Sequence, residues 1–118
     1  MILPDFPIVD SHVHLYDPKK LSYPWISAIP LLQRAYLSKD YSDLTAPVNV
    51  ESLVFVEVDV ADGQQLDEAR FVHDLARTDK RIKGMVVSMP LERGARAVEA
   101  DIATYAKMPL ARGVRRLV

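Results

Sequence analysis

Short apolar runs alternate with amphipathic stretches along this chain, and that order leaves few folds open. Residues 52–58, Ser-Leu-Val-Phe-Val-Glu-Val, are β-branched and apolar on both faces, the composition of a strand buried in a parallel sheet. After an Asp62-Gly63 turn, Leu66, Ala69, Val72, Leu75 and Ala76 recur at spacings of three and four, which predicts a helix over 64–78. Residues 81–88 read as a strand ending before Pro90. Ala97, Val98, Ile102, Tyr105 and Ala106 then mark a helix over 93–107, closed by Pro109, and 113–118 read as a last strand. With residues 8–15 as the first strand, the order is strand, long connection, strand, helix, strand, helix, strand. This predicts an α/β fold with a parallel sheet and right-handed crossovers, and leaves open whether the sheet is open or closed. A chain that stops on Leu117-Val118 with no covering helix reads as unfinished. A (β/α)₈ barrel takes about 250 residues, so four strands of this pattern make half of one. One partial domain over 1–118 is expected.

Composition narrows the function classes. At 118 residues, 49% hydrophobic and 26% charged, the chain has the material for one globular core. Its net charge of −1 gives no electrostatic footprint for nucleic acid or an anionic membrane. Cysteine is absent, which excludes disulfides, a thiol nucleophile and thiolate metal ligands. The N-terminus lacks a basic segment followed by a long apolar run, and the apolar runs are only a few residues long. A cytoplasmic protein is the expectation.

The connection after the first strand is rich in turns. Pro18, Pro24 and Pro30 argue against a regular helix or central strand there. Residues 31–36 fit a helical turn, and 38–44 carry the serine and acidic residues of a short helix start that Pro47 stops.

The first strand carries the chemistry. Ile8, Val9, Val13 and Leu15 favour extended structure, and alternation by two places Asp10, His12 and His14 on one side. A rise of ~3.3 Å per residue sets the two histidine Cα atoms ~6.6 Å apart, within reach of one ion. The same His-x-His spacing also arises on an ordinary half-exposed polar strand face.

The segments Val9-Asp10-Ser11-His12-Val13-His14-Leu15-Tyr16-Asp17-Pro18, Leu21-Ser22-Tyr23-Pro24-Trp25-Ile26 and Leu32-Gln33-Arg34-Ala35-Tyr36-Leu37 together resemble the start of the amidohydrolase-related TIM-barrel hydrolases. Within them the Tyr-Pro-Trp loop is similar to the sugar-lactonase branch, the L-fuconolactone and L-rhamnonolactone hydrolases. The resemblance continues through Phe55-Val56-Glu57-Val58 to Arg112-Gly113-Val114-Arg115-Arg116-Leu117. It implies the N-terminal half of a (β/α)₈ barrel with one divalent metal ion, zinc, manganese or similar, at its mouth. His12 and His14 match the first-strand ligands. The remaining ligands and the general base are implied in the second half of the barrel. The other histidine, His73, falls in a helical pattern on the outer ring, remote from the mouth.

Barrel sites are built where the strands end. Glu57 and Asp59, at the end of the second strand and on one face with Phe55, either contact substrate hydroxyls or the groups around the ion's ligands, or form a solvated strand end. The resemblance suggests a substrate-orienting cation from Arg115 and Arg116; alternation sends only one inward, and the other packs its stem outside. Trp25, beside Tyr23 in the long loop, either stacks on a sugar-like ring or anchors its loop. Asp10 either orients His12 or satisfies backbone groups near the barrel floor. Gly84 eases strand packing.

The implied activity is metal-dependent hydrolysis of a sugar lactone, a small-molecule substrate, by the complete barrel, with the isolated chain inactive. The alternatives are the decarboxylase chemistry of relatives, or an inactive half-barrel that serves as a binding module and pairs with a second copy to cover its sheet edges.

Overall fold

The computed structural model describes residues 2–118. Four strands form one sheet: β1 (Ile8–Val13), β2 (Val50–Val56), β3 (Ile82–Ser88) and β4 (Ala111–Arg115). Their order in space is their order in sequence, and every pairing is parallel. Helix α1 (Ser38–Thr45) lies between β1 and β2, α2 (Gln65–Thr78) between β2 and β3, and α3 (Ala95–Tyr105) between β3 and β4.

Sequential order separates this sheet from the doubly wound kind. A doubly wound sheet reverses direction at a switch point, whereas a barrel winds one way throughout. The chain is thus an α/β fold that matches half of a TIM barrel.

The core lies on the side of the sheet covered by helices. Leu53 and Phe55 of β2 and Met85 and Val87 of β3 are buried with Ala69 and Val72 of α2 and Tyr105 of α3. The Tyr105 hydroxyl donates to the Ser88 carbonyl at 3.1 Å, so the one polar atom of that aromatic residue is paired. Val54 and Val86 alternate with these residues, face the other way and are only half-buried.

Several boundaries differ from expectation. Pairing in β1 stops at Val13, so His14 lies just past the strand. Register with β2 also slips by one residue between Asp10 and Val13, which interrupts the alternation expected to align Asp10 with both histidines. The helical turn expected over 31–36 does not form beyond Leu32; the helical pieces are two 3₁₀ segments further back, Pro24–Ala28 and Pro30–Leu32, each opened by a proline whose missing N–H costs nothing there. Tyr36 instead pairs with Tyr16 through two backbone hydrogen bonds of 3.0 Å. At α1 it is Asp40 that accepts the Leu37 N–H, at 3.0 Å, rather than Ser38 that caps. β4 begins at Ala111, two residues earlier than expected, because Met108 closes the turn after α3 through the Ala111 N–H.

At the base, Asp79 joins α2 to β3. Its carboxylate takes Nε and Nη2 of Arg81 at 2.9 and 2.8 Å, and Arg81 also reaches the Ser42 hydroxyl of α1 at 3.0 Å. That pairing holds the Asp79 carboxyl at about 2, below its ordinary 3.8. A depressed folded value stabilises above the unfolded value and is lost as pH falls through the folded one. Asp79→Asn should therefore lower stability at neutral pH by about 2 kcal/mol. In urea titrations the gap to the parent should narrow below pH 4 and close near 2.

Candidate functional site

The C-terminal ends of the four strands converge on one side of the sheet, and the chemistry-bearing residues gather there. His12 lies in β1 and His14 one residue beyond it, on the same side of the bulged strand, while Val13 and Leu15 between and after them go into the core. The two rings meet edge to face, with centroids 4.9 Å apart and planes at 81°. Their Nε2 atoms are 3.2 Å apart.

His14 is oriented by β2. Its Nδ1 lies 2.8 Å from the Val56 carbonyl oxygen, which can only accept, so Nδ1 carries the proton and Nε2 presents its lone pair. Burial lowers the His14 pKa below its usual value, and His12 and Arg115 add to this against the Val56 carbonyl and Glu57. The ring is neutral near pH 7. A neutral imidazole with Nδ1 tied to a carbonyl and Nε2 free is the form in which histidine binds metal.

The pair fits a divalent ion. Two nitrogens each about 2.0–2.1 Å from one ion stand about 3.2–3.4 Å apart at a near-tetrahedral angle, and the observed separation is 3.2 Å. Among the described residues no group of three or more His, Asp or Glu is placed to hold an ion, so the two histidines stand as a pair without a third such side chain.

Beside His14 opens a cleft of 370 Å³ lined by His14, Trp25, Val58, Asp59, Arg115 and Leu117. Trp25, 40% exposed, donates its indole N–H to the Val58 carbonyl at 2.8 Å, so it anchors its loop and lines the cleft at once. Asp59 sits at φ 51°, in the left-handed region that few residues other than glycine enter, with aspartate and asparagine among the tolerant ones. A larger groove of 580 Å³ beneath the connection is lined by residues such as Lys19, Lys20 and Gln64, and no histidine or carboxylate borders it.

The two arginines part as alternation requires. Arg115 turns in: its Nε donates to Glu57 Oε1 at 2.6 Å and its Nη2 to the Glu57 carbonyl at 2.8 Å. Arg116 turns away, bonded through Nε to Glu92 at 3.0 Å, and takes no place in the cleft. Glu57 is 1% exposed and spends its carboxylate on Arg115 and on the Asp59 N–H at 2.7 Å, so it builds the cleft wall rather than facing substrate. Asp10 accepts the His12 backbone N–H at 3.1 Å and the Tyr41 hydroxyl at 2.8 Å; it serves the backbone and α1, not the His12 ring. His73 is on α2, away from the cleft, and at Gly84 an added Cβ would meet Arg112 Cγ at 3.4 Å.

One residue had no place in the expected site. Glu68, on α2, is 1% exposed and accepts the Val58 N–H at 3.1 Å. Burial pushes its carboxyl up to about 8, with Glu57 and Asp59 adding to the rise against the Val58 N–H and Arg115. Its signal was available: it falls on the helix stripe with Gln65, Ala69 and Val72, where an unpaired charge is costly.

No protein-family model matches the chain, and no curated protein matches it. Solved structures do. An amidohydrolase 2 from Bifidobacterium longum subsp. infantis is 31% identical, with a TM-score of 0.62 over 70% of this chain and 32% of its own. An amidohydrolase from Burkholderia multivorans is 26% identical over 92% of this chain and 36% of its own. Its TM-score is 0.69 in a crystal with bound HEPES and 0.66 in one with bound zinc. The structural neighbours are amidohydrolases. The chain spans about a third of their length. Among the described residues no helix is long and apolar enough to cross a membrane.

Truncating Arg115 leaves the buried Glu57 carboxylate unpaired. Arg115→Ala should cost about 3 kcal/mol in a denaturant titration, the lower end for a broken buried pair because Arg115 is partly exposed. Adding Glu57→Gln should recover a good part of that loss.

Proposed function

We propose that the chain supplies the first-strand ligands of a metal-dependent hydrolase of the amidohydrolase superfamily, acting on a sugar lactone. The observation that carries this reading is the convergence of His12 and His14 Nε2 at 3.2 Å beside a cleft at the C-terminal edge of a parallel sheet. A neighbour of the same fold crystallised with bound zinc supports it.

In this reading His12 and His14 hold a divalent ion, zinc or manganese, through Nε2. Such an ion polarises an ester carbonyl and brings the pKa of a bound water to about 7, which is what lactone hydrolysis needs. The chain's own residues do the rest of the work on this side of the site. The Val56 carbonyl keeps the His14 proton on Nδ1. Trp25 offers an apolar face to a sugar-like ring, while Asp59 and Arg115 at the rim address its hydroxyl and carbonyl oxygens. The general base and the remaining ligands come from other strands of the barrel.

The test is made on a protein carrying the whole barrel. Bound zinc and manganese are quantified by mass spectrometry, and sugar-lactone opening is followed by the acid released. His12→Ala and His14→Ala should each strip the metal and lower kcat/KM at least about 100-fold, the range lost when a group acting in the transition state is removed. A metal-free barrel that opens no lactone would overturn the reading, and carbon dioxide release from a carboxylic substrate would assign the decarboxylase chemistry instead.

A further inference from the structure

The chain leaves β2 as an irregular segment, residues 57–61, with Asp59 in the left-handed region, and its polar groups are held from several elements. The Val56 carbonyl takes His14 of the first-strand segment, the Glu57 carbonyl takes Arg115 of β4, and the Val58 carbonyl takes Trp25 of the long loop. The Asp59 N–H is closed by Glu57 within the segment itself. These contacts belong to the cleft and its wall. The Val58 N–H points elsewhere and finds Glu68, at 3.1 Å, in the helical layer behind the sheet.

A carboxyl at that place is expensive. Glu68 lies on the buried stripe of α2, where an aliphatic side chain would pack without desolvating a polar group. What the carboxyl supplies in exchange is one acceptor at one backbone amide. That amide sits between Val56, which orients His14, and Asp59, whose left-handed backbone needs support to persist.

We infer that Glu68 is a positioning residue: by holding the Val58 amide from the helix side, it fixes the segment after β2, beside the Val56 carbonyl that sets the His14 tautomer and including the Val58 carbonyl that seats Trp25. The inference deepens the assignment of His14 as a metal ligand and rests on it for its consequence in catalysis, though not for its structural content. Burial pushes the Glu68 carboxyl up to about 8, so the group is mostly neutral near pH 7 and glutamine is its faithful substitute.

The full chain, labelled with ¹⁵N, gives the direct readout. The imidazole nitrogen shifts of His14 report which nitrogen is protonated, without any metal present. In the parent they should show the fixed Nδ1–H form, and Glu68→Gln, which keeps an acceptor oxygen, should leave them unchanged. Glu68→Leu, which fills the space and removes the acceptor, should move them toward the average of the two tautomers. Where Leu does not fold, Glu68→Asp serves, because its carboxyl is one methylene too short to reach the Val58 amide. A folded Leu or Asp variant that retains the parent shifts would overturn the inference, since a purely structural role would lower stability and leave His14 untouched. Zinc titration of the whole barrel supplies a second measurement, with an expected loss of about 10–100-fold in affinity for Leu or Asp and none for Gln. If the parent barrel binds no zinc, the metal assignment falls while the tautomer comparison still decides the role of Glu68.

Discussion

The pair of Glu57 and Arg115 ties together the end of the sheet where the chemistry lies. β2 and β4 are not neighbours; β3 stands between them. The arginine must cross the end of β3 to reach both the carboxylate and the carbonyl of Glu57. Backbone pairing fixes each strand to the next, but only such a crossing contact fixes the bend of the sheet over three strands. The segment after β2, the cleft wall and the direction of the Val56 carbonyl all depend on that bend.

The pair also explains how a small half-buried site carries so much polarity. Glu57 and Glu68 are buried at the end of β2 with Asp59 half-buried beside them, and the Arg115 guanidinium is bonded to Glu57 alone of the three. That one pair leaves Glu68 without a cation of its own. Raising its proton affinity resolves the conflict, because a neutral acid still accepts a hydrogen bond. Charge, burial and backbone geometry therefore settle on one arrangement together.

Much of this was legible in the residues. Strand and helix periods named β2, α2, β3 and α3, since their core-facing positions carry apolar patterns that no loop would produce, whereas α1 was read from its start signals alone. The His-x-His pair, and the rule that only one of Arg115 and Arg116 points inward, followed from alternation; which of the two does so is fixed by the Glu57 and Glu92 carboxylates. What alternation missed was local. The slip in β1 has no side-chain signature, because a bulge is a matter of backbone pairing. Trp25 was left between two roles; its indole N–H anchors the loop on the Val58 carbonyl, and its ring also lines the cleft. Glu68 was hidden by the habit of reading helix stripes through their apolar members alone. A carboxyl on such a stripe marks a partner across the interface, here the Val58 amide.

The slip between Asp10 and Val13 separates the two ends of the first strand. Below it, Asp10 answers to α1 through Tyr41; above it, His14 answers to β2 through the Val56 carbonyl, and His12 lies in the slipped segment itself. A straight strand is a rigid rod, in which any shift at one end is transmitted to the other. An extra residue in the ladder works as a coupling with play. The floor can thus settle against its helix, or change as its sequence drifts, while His14 keeps its place against the Val56 carbonyl at the mouth.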